Sequence, residues 1–322
     1  MKKRIKTSVL TFLIVSFMAS YVSFASNSIE VFGETANDNS VNLILDSLNE
    51  KELPSRFRKF SENADIKDSK DLNLTGLKSL NMSGSKQFSE NGLTLMKESI
   101  DTNLPITIVD LRQESHGFVN GLPISWANSK NDANKGLTKA EVLADESNKL
   151  KSIKLNEPLA IYNHPKKTII PTKVQNEEEL VKSQSMSYVR IPVTDGKIPT
   201  DDMVDYFVQL VNSELKDNWL HFHCKQGIGR TTTFMIMYDI MKNAKEVSLD
   251  DIVKRQVALS KMSENSAKGF YNDERKSLLT NFYKYVKENN DNFNTKWSQW
   301  KKNSSTNTTF INELYDFKKL GA

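Results

Sequence analysis

The stretch from 219 to 238, WLHFHCKQGIGRTTTFMIMY, constrains the fold most. Strand-forming residues lead directly into a glycine-containing loop, and an apolar helix follows. Gly227 and Gly229 are predicted to let the backbone curl where a Cβ would block it, so that N–H groups between Lys225 and Arg230 converge on one anion. The positive N-terminal end of the helix favours the same anion. The stretch therefore predicts a phosphate-binding loop between a strand and a helix.

The side chains of this loop have the chemistry of a phosphoryl-transfer site. Cys224 is expected at the floor of the loop, where the helix N-terminus and the amides stabilise a nucleophilic thiolate. Arg230 follows six positions later, where its planar guanidinium can bind two phosphoryl oxygens in the transition state. Thr231 can donate a hydrogen bond to the sulfur, and His223 directly precedes the cysteine. The residues expected to bind phosphate in the loop are Lys225, Gln226, Gly227, Ile228 and Gly229.

The alternative for a single cysteine is a small buried hydrophobic residue, which is the commoner role of an unpaired cysteine. An arginine six positions after a given cysteine occurs by chance about once in twenty. Requiring His223, both glycines and Thr231 as well reduces the chance to about one in a million. The spacing therefore favours a catalytic cysteine. It matches the His-Cys-x5-Arg-Thr signature loop of the protein tyrosine phosphatase superfamily.

The N-terminus is typical of a secretory signal peptide. Basic residues precede an apolar run from Ser8 to Val22, and the small residues Ser23 and Ala25 predict cleavage after Ala25. An uncleaved membrane anchor is the alternative. Cleavage would remove four of the 44 Lys and Arg residues and none of the 40 acidic ones, leaving 40 against 40. We therefore expect a secreted protein, extracellular or in the cell envelope, without stable membrane association or a nucleic-acid partner, whose anion site is local.

The composition also limits how the chain is stabilised. One cysteine permits no intramolecular disulfide, so about three hundred residues must be stabilised by core burial. No metal and no cofactor is expected, because the four histidines have no metal-ligand spacing with Cys224: His116, His164, His221 and His223.

We predict a signal peptide (1–25), a polar leader (26–45), one phosphatase-type domain (46–302) and a polar tail (303–322). Short apolar runs broken by prolines predict a small β-rich insertion around 153–182. Strands are expected at 106–111, at 186–191 and from 219, and helices at 92–99, 138–150, 202–215, 249–259 and 278–286. Thr138 and Glu141 predict a capping box at the start of the second helix. Polar residues at 112–117 follow a buried strand, where open α/β sheets usually bind ligands.

A phosphatase of this kind needs a general acid to protonate the leaving alkoxide. Asp195 is the candidate, because it lies next to Gly196 and before Pro199 in a loop that can move. It also precedes Cys224 by one helix and one strand. A Thr-Asp-Gly tripeptide alone would be an ordinary turn, but this position in a chain with the signature loop favours the acid.

Further segments resemble the protein-tyrosine-phosphatase-like phytases, secreted bacterial enzymes that hydrolyse inositol hexakisphosphate. The resemblance runs from about Leu53 to Trp300. It is carried by DLRQESHG (110–117), GLPISW (121–126), ADE (144–146), YVRI (188–191), WLHFHC (219–224) and YKYVKEN (283–289). It implies an α/β fold of the phosphatase type, a central sheet flanked by helices, with a small partial β-barrel.

The resemblance also implies substrate-binding residues outside the loop: Arg58, Glu114, Lys166 or Lys167, Tyr271 and Arg275. Two positions depart from the family pattern. Relatives have an aspartate soon after Ser-Trp, where this chain has Asn131-Asp132. Relatives can also have a histidine directly after the general acid, where this chain has Gly196. These departures concern the order of phosphate removal.

The expected function is a cysteine-dependent phosphatase that removes phosphates stepwise from inositol hexakisphosphate through a phosphocysteine. Its partner would be a small-molecule substrate, an inositol polyphosphate. The alternatives are a secreted protein-tyrosine or phosphoinositide phosphatase, and a catalytically silent phosphate-binding module. Activity on inositol hexakisphosphate and on a phosphotyrosyl peptide distinguishes them.

Overall fold

The computed structural model describes residues 40–48, 51–60 and 72–304. The predicted signal peptide (1–25) lies outside these residues, as do most of the predicted leader and tail. The last residues of the predicted polar leader include strand β1 (Asn42–Leu45). Among the described residues, no helix combines the length and the apolar character needed to cross a membrane.

The main sheet has five strands in the order β10-β4-β11-β3-β2. These are β10 (Ser187–Val193), β4 (Ile106–Arg112), β11 (Trp219–Cys224), β3 (Met82–Lys86) and β2 (Arg58–Phe60). The first four are mutually parallel, and β2 is antiparallel to β3 at the edge. The predicted strands at 106–111, at 186–191 and from 219 are the three at one side of this sheet.

A second sheet has four antiparallel strands in the order β1-β6-β5-β9. It is formed by β1, β6 (Leu122–Ala127), β5 (His116–Val119) and β9 (Val174–Gln175). A separate hairpin pairs β7 (Leu159–Ala160) with β8 (Thr168–Ile169). The insertion predicted at 153–182 thus supplies only three two-residue strands and a short helix, and the partial barrel is not confirmed. Both sheets belong to the same compact unit.

Eight helices lie wholly within the described residues, and residues 297–304 at the end of the described range are also helical. The eight are α1 (Glu90–Ile100), α2 (Lys139–Ser152), α3 (Glu177–Ser183), α4 (Asp201–Gln209), α5 (Gly229–Asn243), α6 (Leu249–Leu259), α7 (Glu264–Phe270) and α8 (Asp273–Glu288). The predicted capping box of α2 is confirmed, with Thr138 and Glu141 satisfying each other's backbone N–H groups. The helix predicted at 202–215 changes to a π-helical segment at Leu210–Glu214.

Helix α5 lies at the centre of the main core. All its residues from Arg230 to Ile240 are buried, and its apolar side chains pack with those of β11, α4 and α8 in one cluster. The other face of the sheet is covered by a second cluster that includes residues of α1 and α3. A helix buried on all sides cannot shift without disrupting the core, so its first turn is a rigid base for the loop.

The four parallel strands end at one edge of the main sheet, at Lys86, Arg112, Val193 and Cys224. The residues that follow each strand therefore meet there, as expected at the carboxyl edge of an open α/β sheet. This edge gathers the predicted loop at 112–117, the Asp195 loop and the signature loop, which lie far apart in the sequence.

Candidate active site

The signature loop joins the end of β11 at Cys224 to the start of α5 at Gly229. The backbone N–H of Gly227 points at the sulfur, with N 3.3 Å from Cys224 Sγ. The hydroxyl of Thr231 donates to the same sulfur at 3.1 Å, as the sequence predicts. Both donors therefore point at the sulfur that would attack phosphorus, and Cys224 itself is 2% exposed.

The two loop glycines have different roles. Gly227 has φ of +71°, and a Cβ there would lie 2.5 Å from the backbone N of Lys86. Gly229 is the first residue of α5, and its φ is not positive. A Cβ there would meet only Arg275 Nη2, at 3.9 Å. The prediction that both glycines are needed for the curl is therefore correct for Gly227 and wrong for Gly229.

Arg230 is held by a carboxylate that the resemblance implied at the pocket. Its Nη1 donates to Glu114 Oε2 at 2.6 Å and its Nη2 to Glu114 Oε1 at 3.0 Å. Burial raises the pKa of Glu114, but Arg230 and Arg112 outweigh burial and hold it well below its usual range. Arg230 Nε is buried without a partner among the described residues. The guanidinium group of Arg230 is thus fixed in orientation, while its Nε–H has no acceptor among the described residues.

Asp195 lies beside Arg230, with Oδ1 3.1 Å from Arg230 Nη2. Its side chain is 34% exposed, and its neighbour Gly196 has φ of +73°. The candidate general acid is therefore within reach of both the loop and solvent, on a turn that a glycine permits.

Asn131 links the acid to the loop. Its Nδ2 donates to Asp195 Oδ2 at 2.7 Å and to Glu114 Oε1 at 3.2 Å. Its Oδ1 accepts from Lys225 Nζ at 2.9 Å. The sequence identified Asn131 only as a departure from the family pattern, and its positive φ of 55° is the sole local signal of a special position.

His223 belongs to a buried cluster behind the loop. Its Nε2 lies 2.6 Å from Glu177 Oε1, at an angle that is not that of a hydrogen bond. Glu177 also contacts His116 Nε2 at 3.2 Å, and Asp110 lies 3.3 Å from the same nitrogen. Burial and Arg112 lower the pKa of His116, but Asp110 and Glu146 outweigh them and raise it to about 9.

Asp110, Glu177 and His223 each offer one metal-ligand atom, all within 4.8 Å of one another. Both carboxylates already pair with cations, Asp110 with Arg190 Nε at 3.1 Å and Glu177 with His116. The negative charge of this group is therefore balanced by protein cations, and the residues do not fit a divalent ion.

Two residues predicted to bind outer phosphates are buried instead. Arg58 is 5% exposed and donates to the carbonyl of Gly227 at 3.2 Å and to Thr232 Oγ1 at 3.1 Å. Arg275 is 4% exposed and donates to Thr233 Oγ1 at 3.0 Å and to the carbonyl of Phe270. Both guanidinium groups support the loop and the first turn of α5, and their role in binding substrate phosphate stays a prediction.

The other residues predicted to bind substrate outside the loop lie in the turn between β7 and β8 and at the end of α7. Lys166 and Lys167 are exposed, in the turn between β7 and β8. Tyr271 caps α7 and packs against the main core. Within the loop, Gln226 is exposed, whereas Lys225 and Ile228 are half-buried. Burial lowers the pKa of Lys225, and the nearby Asp46 opposes this.

Comparison with known proteins agrees with this geometry. Residues 109–242 match the family model of the PTP-like phytases, and the description of that family is inositol hexakisphosphate. The PTP-like phytase of Bdellovibrio bacteriovorus has a solved structure with 31% sequence identity and a TM-score of 0.67, and the match covers 81% of this chain and 94% of that one.

Two longer proteins are also similar. The PTP-like myo-inositol phosphatase of Mitsuokella multacida, solved with myo-inositol-(1,3,4,5)-tetrakisphosphate, is 32% identical with a TM-score of 0.69, over 87% of this chain and 51% of that one. Effector protein hopD2 of Pseudomonas syringae pv. tomato is 32% identical over 215 residues, 61% of this chain and 46% of that protein. This chain thus spans about half the length of each. The phosphatase-type fold and the match to the Bdellovibrio enzyme over nearly its whole length show that the chain belongs to the protein-tyrosine-phosphatase-like phytase family.

Proposed function

We propose that this protein is a cysteine-dependent phosphomonoesterase that removes phosphates stepwise from inositol hexakisphosphate. One observation carries the proposal: Cys224 Sγ lies at the floor of a loop whose Arg230 is fixed by Glu114 and also contacts Asp195. Nucleophile, anion-binding group and proton donor are thus assembled at one edge of the sheet. The inositol tetrakisphosphate bound to the Mitsuokella relative supports this class of substrate.

In the first step, the thiolate of Cys224 attacks phosphorus in line with the leaving inositol oxygen. The Sγ–P bond forms and the P–O ester bond breaks, while Asp195 transfers its proton to the leaving alkoxide. The loop amides and Arg230 stabilise the equatorial oxygens, as preorganised donors do most effectively. Because Glu114 already holds the guanidinium, little reorganisation is needed.

In the second step, water attacks the phosphocysteine and Asp195, now ionised, accepts its proton. The P–S bond breaks and the thiolate of Cys224 leaves. The hydrogen bond from Thr231 Oγ1 to Sγ stabilises the sulfur as charge returns to it. Inorganic phosphate is released and the resting enzyme is restored.

The proposal includes secretion, which rests on the basic and apolar pattern of residues 1–25. Expression of the full-length chain in a bacterial host, followed by N-terminal sequencing of the exported protein, tests it. A mature N-terminus at Ser26 is expected. A chain that keeps its first 25 residues would contradict cleavage.

The activity is tested with the chain from residue 26 onward. Phosphate release from inositol hexakisphosphate and from a phosphotyrosyl peptide is measured with and without a chelator, and the inositol products are separated by chromatography. We expect stepwise products, a strong preference for the inositol substrate, no effect of the chelator and no release by Cys224→Ser. Turnover of the peptide alone would instead favour a protein-tyrosine phosphatase, and no turnover of either would indicate a silent binding module.

A further inference from the structure

Three cationic side chains lie on one flank of the signature loop: Arg56, Lys86 and Lys225. We call them the basic flank. Arg56 Nη1 donates to the carbonyl of Gln226, at the tip of the loop, at 3.1 Å. Lys86 ends β3, where its Cα pairs in register with that of Cys224, and its backbone N donates to the carbonyl of Ser55 at 2.9 Å. The strand register and the chain before β2 therefore bring the basic flank to the loop.

The basic flank is only partly neutralised by carboxylates. Asp46 forms an ion pair with it, 3.5 Å from Lys225 Nζ, and Glu114 and Asp195 also act on Lys225. That carboxylate already accepts from Arg112 Nη1 at 2.8 Å and from Ser125 Oγ at 2.8 Å. In the described part of the chain, neither Arg56 nor Lys86 forms an ion pair with a carboxylate. Lys225 Nζ is already held by Asn131 and Asp46, so an additional anion would find its unpaired charges mainly on Arg56 and Lys86.

The crowding of cations has an electrostatic cost in the free protein. Burial lowers the pKa of Lys86, and although Asp46 opposes this, the neighbouring Arg56, Lys225 and Arg112 lower it further. Like charges at short range repel one another unless an anion is bound between them. Binding of a multiply charged anion would therefore reduce the repulsion between these cations.

Arg56 shows two further signs of a constrained position. It has φ of +59°, in the left-handed region that an arginine rarely adopts. Its Nε is buried and has no hydrogen-bond partner among the described residues. A backbone held in a sparsely populated conformation and a buried donor without an acceptor are both typical of ligand sites.

We infer that the basic flank is a second phosphate subsite, which binds a phosphate group of the same substrate next to the one in the Cys224 loop. The inference rests on the proposed function and identifies how the site would distinguish polyphosphorylated from monophosphorylated substrates. Arg56 and Lys86 take the role that the sequence assigned to Arg58, because Arg58 is buried beneath the loop while they are on its flank.

The test compares Lys86→Met and Arg56→Asn with wild type. Methionine keeps most of the volume of lysine, and asparagine tolerates the left-handed backbone. Lys245→Met is the matched control, since this exposed lysine follows the far end of α5, about 20 Å along the helix axis from the loop. Thermal unfolding establishes that each variant is folded.

For each variant, kcat/KM is measured with inositol hexakisphosphate and with 4-nitrophenyl phosphate. We expect kcat/KM for inositol hexakisphosphate, divided by kcat/KM for 4-nitrophenyl phosphate, to fall about tenfold in Lys86→Met and in Arg56→Asn. The fall should come mainly from a higher KM for the hexakisphosphate, and the same ratio should stay constant in Lys245→Met. Equal losses on both substrates would show that the basic flank only supports the loop, and would overturn the subsite.

A second measurement separates this inference from the proposed function. Inositol hexakisphosphate and inorganic phosphate are each tested as inhibitors of 4-nitrophenyl phosphate hydrolysis. This inhibition assay measures binding of the inositol compound and does not require its turnover. The subsite predicts that the inhibition constant of the hexakisphosphate rises about tenfold in Lys86→Met, while that of inorganic phosphate changes far less. If wild type binds but does not hydrolyse the hexakisphosphate, the proposed function fails and the subsite stands. Equal changes for both inhibitors, or no change for either, would contradict the subsite.

Discussion

Glu114 and Arg230 form a buried bidentate ion pair, in which Arg230 Nη1 and Nη2 donate to separate carboxylate oxygens of Glu114 at 2.6 and 3.0 Å. The same carboxylate also accepts from Arg112 Nε at 2.9 Å. Glu114 therefore links the loop arginine to the end of β4. This contact fixes the guanidinium plane before any substrate arrives.

Replacing Glu114 by glutamine should reduce both activity and stability. Arg230 and Arg112 would each lose one charged partner and keep another, Asp195 and Asp46 respectively. Breaking a buried pair typically costs about 3–5 kcal/mol. With Arg230 no longer fixed, we expect kcat/KM to fall about 10²- to 10³-fold on inositol hexakisphosphate and on an aryl phosphate alike. Glu157→Gln, which removes an exposed ion pair with Lys154, is the control and should change neither. A folded Glu114→Gln enzyme with wild-type kcat/KM would show that Arg230 needs no such partner.

The two loop glycines should respond differently to alanine. Gly227→Ala forces a Cβ to within 2.5 Å of the Lys86 backbone and strains a φ of +71°, so the loop must distort. We expect loss of activity and a lower midpoint of thermal unfolding. Gly229→Ala, whose Cβ has room, should keep the fold and most of the activity. Similar behaviour of the two variants in paired melting and kinetic measurements would mean that the local backbone geometry does not determine function.

Asp195→Asn should separate substrates by leaving group. An inositol alkoxide requires protonation as it departs, whereas 4-nitrophenolate does not. We expect the rate constant of the first step to fall about 10²- to 10⁴-fold on inositol hexakisphosphate and much less on the aryl ester. The comparison is made in single turnovers, which isolate the first step from hydrolysis of the phosphocysteine. Equal losses on both substrates would indicate that Asp195 only positions its loop and Arg230.

The cluster behind the loop predicts a pH dependence of stability. His116 is fully buried against Asp110, Glu177 and Glu146, with Arg112 and Arg190 nearby, and its pKa is raised to about 9. Because the folded value exceeds that of the unfolded chain, near 6.5, the protonated form stabilises the fold. That contribution is complete below about pH 6.5 and is lost as pH rises through about 9.

Chemical denaturation at a series of pH values measures this effect. We expect the free energy of unfolding to decrease by up to about 3 kcal/mol between pH 6.5 and pH 9 in wild type. His116→Gln should be less stable at low pH and should lack most of this slope, whereas His164→Gln, in the turn between β7 and β8, should keep it. An unchanged slope in His116→Gln would assign the pH dependence to other groups.

The parts of the site that the sequence predicted correctly are local. Strand, loop and helix from 219 to 238 follow from a short pattern, and the Thr231 contact with Cys224 follows from helix geometry. The capping box at Thr138 is equally local. The carboxyl edge of a parallel sheet then accounts for the meeting of the 112–117 loop with Cys224.

The parts that the sequence did not predict depend on distant contacts. Asn131 lies 64 positions from Asp195 and 94 from Lys225, and no spacing rule connects them. A motif also predicts which side chain is near a site but not how deeply it is buried. Arg58, which the resemblance implies as a substrate-binding residue, lies beneath the loop. The second sheet was missed because two of its strands, β5 and β6, follow β4 directly and its first strand lies in the predicted leader.

The central claim is that Cys224 becomes phosphorylated while the enzyme turns over inositol hexakisphosphate. Wild type and Cys224→Ser are mixed with this substrate, quenched with acid within the first turnover, digested, and analysed by peptide mass spectrometry. The account predicts phosphate on the peptide that contains Cys224 in wild type, and neither a modified peptide nor phosphate release in Cys224→Ser. Continued phosphate release by Cys224→Ser, without any phosphocysteine in wild type, would contradict it.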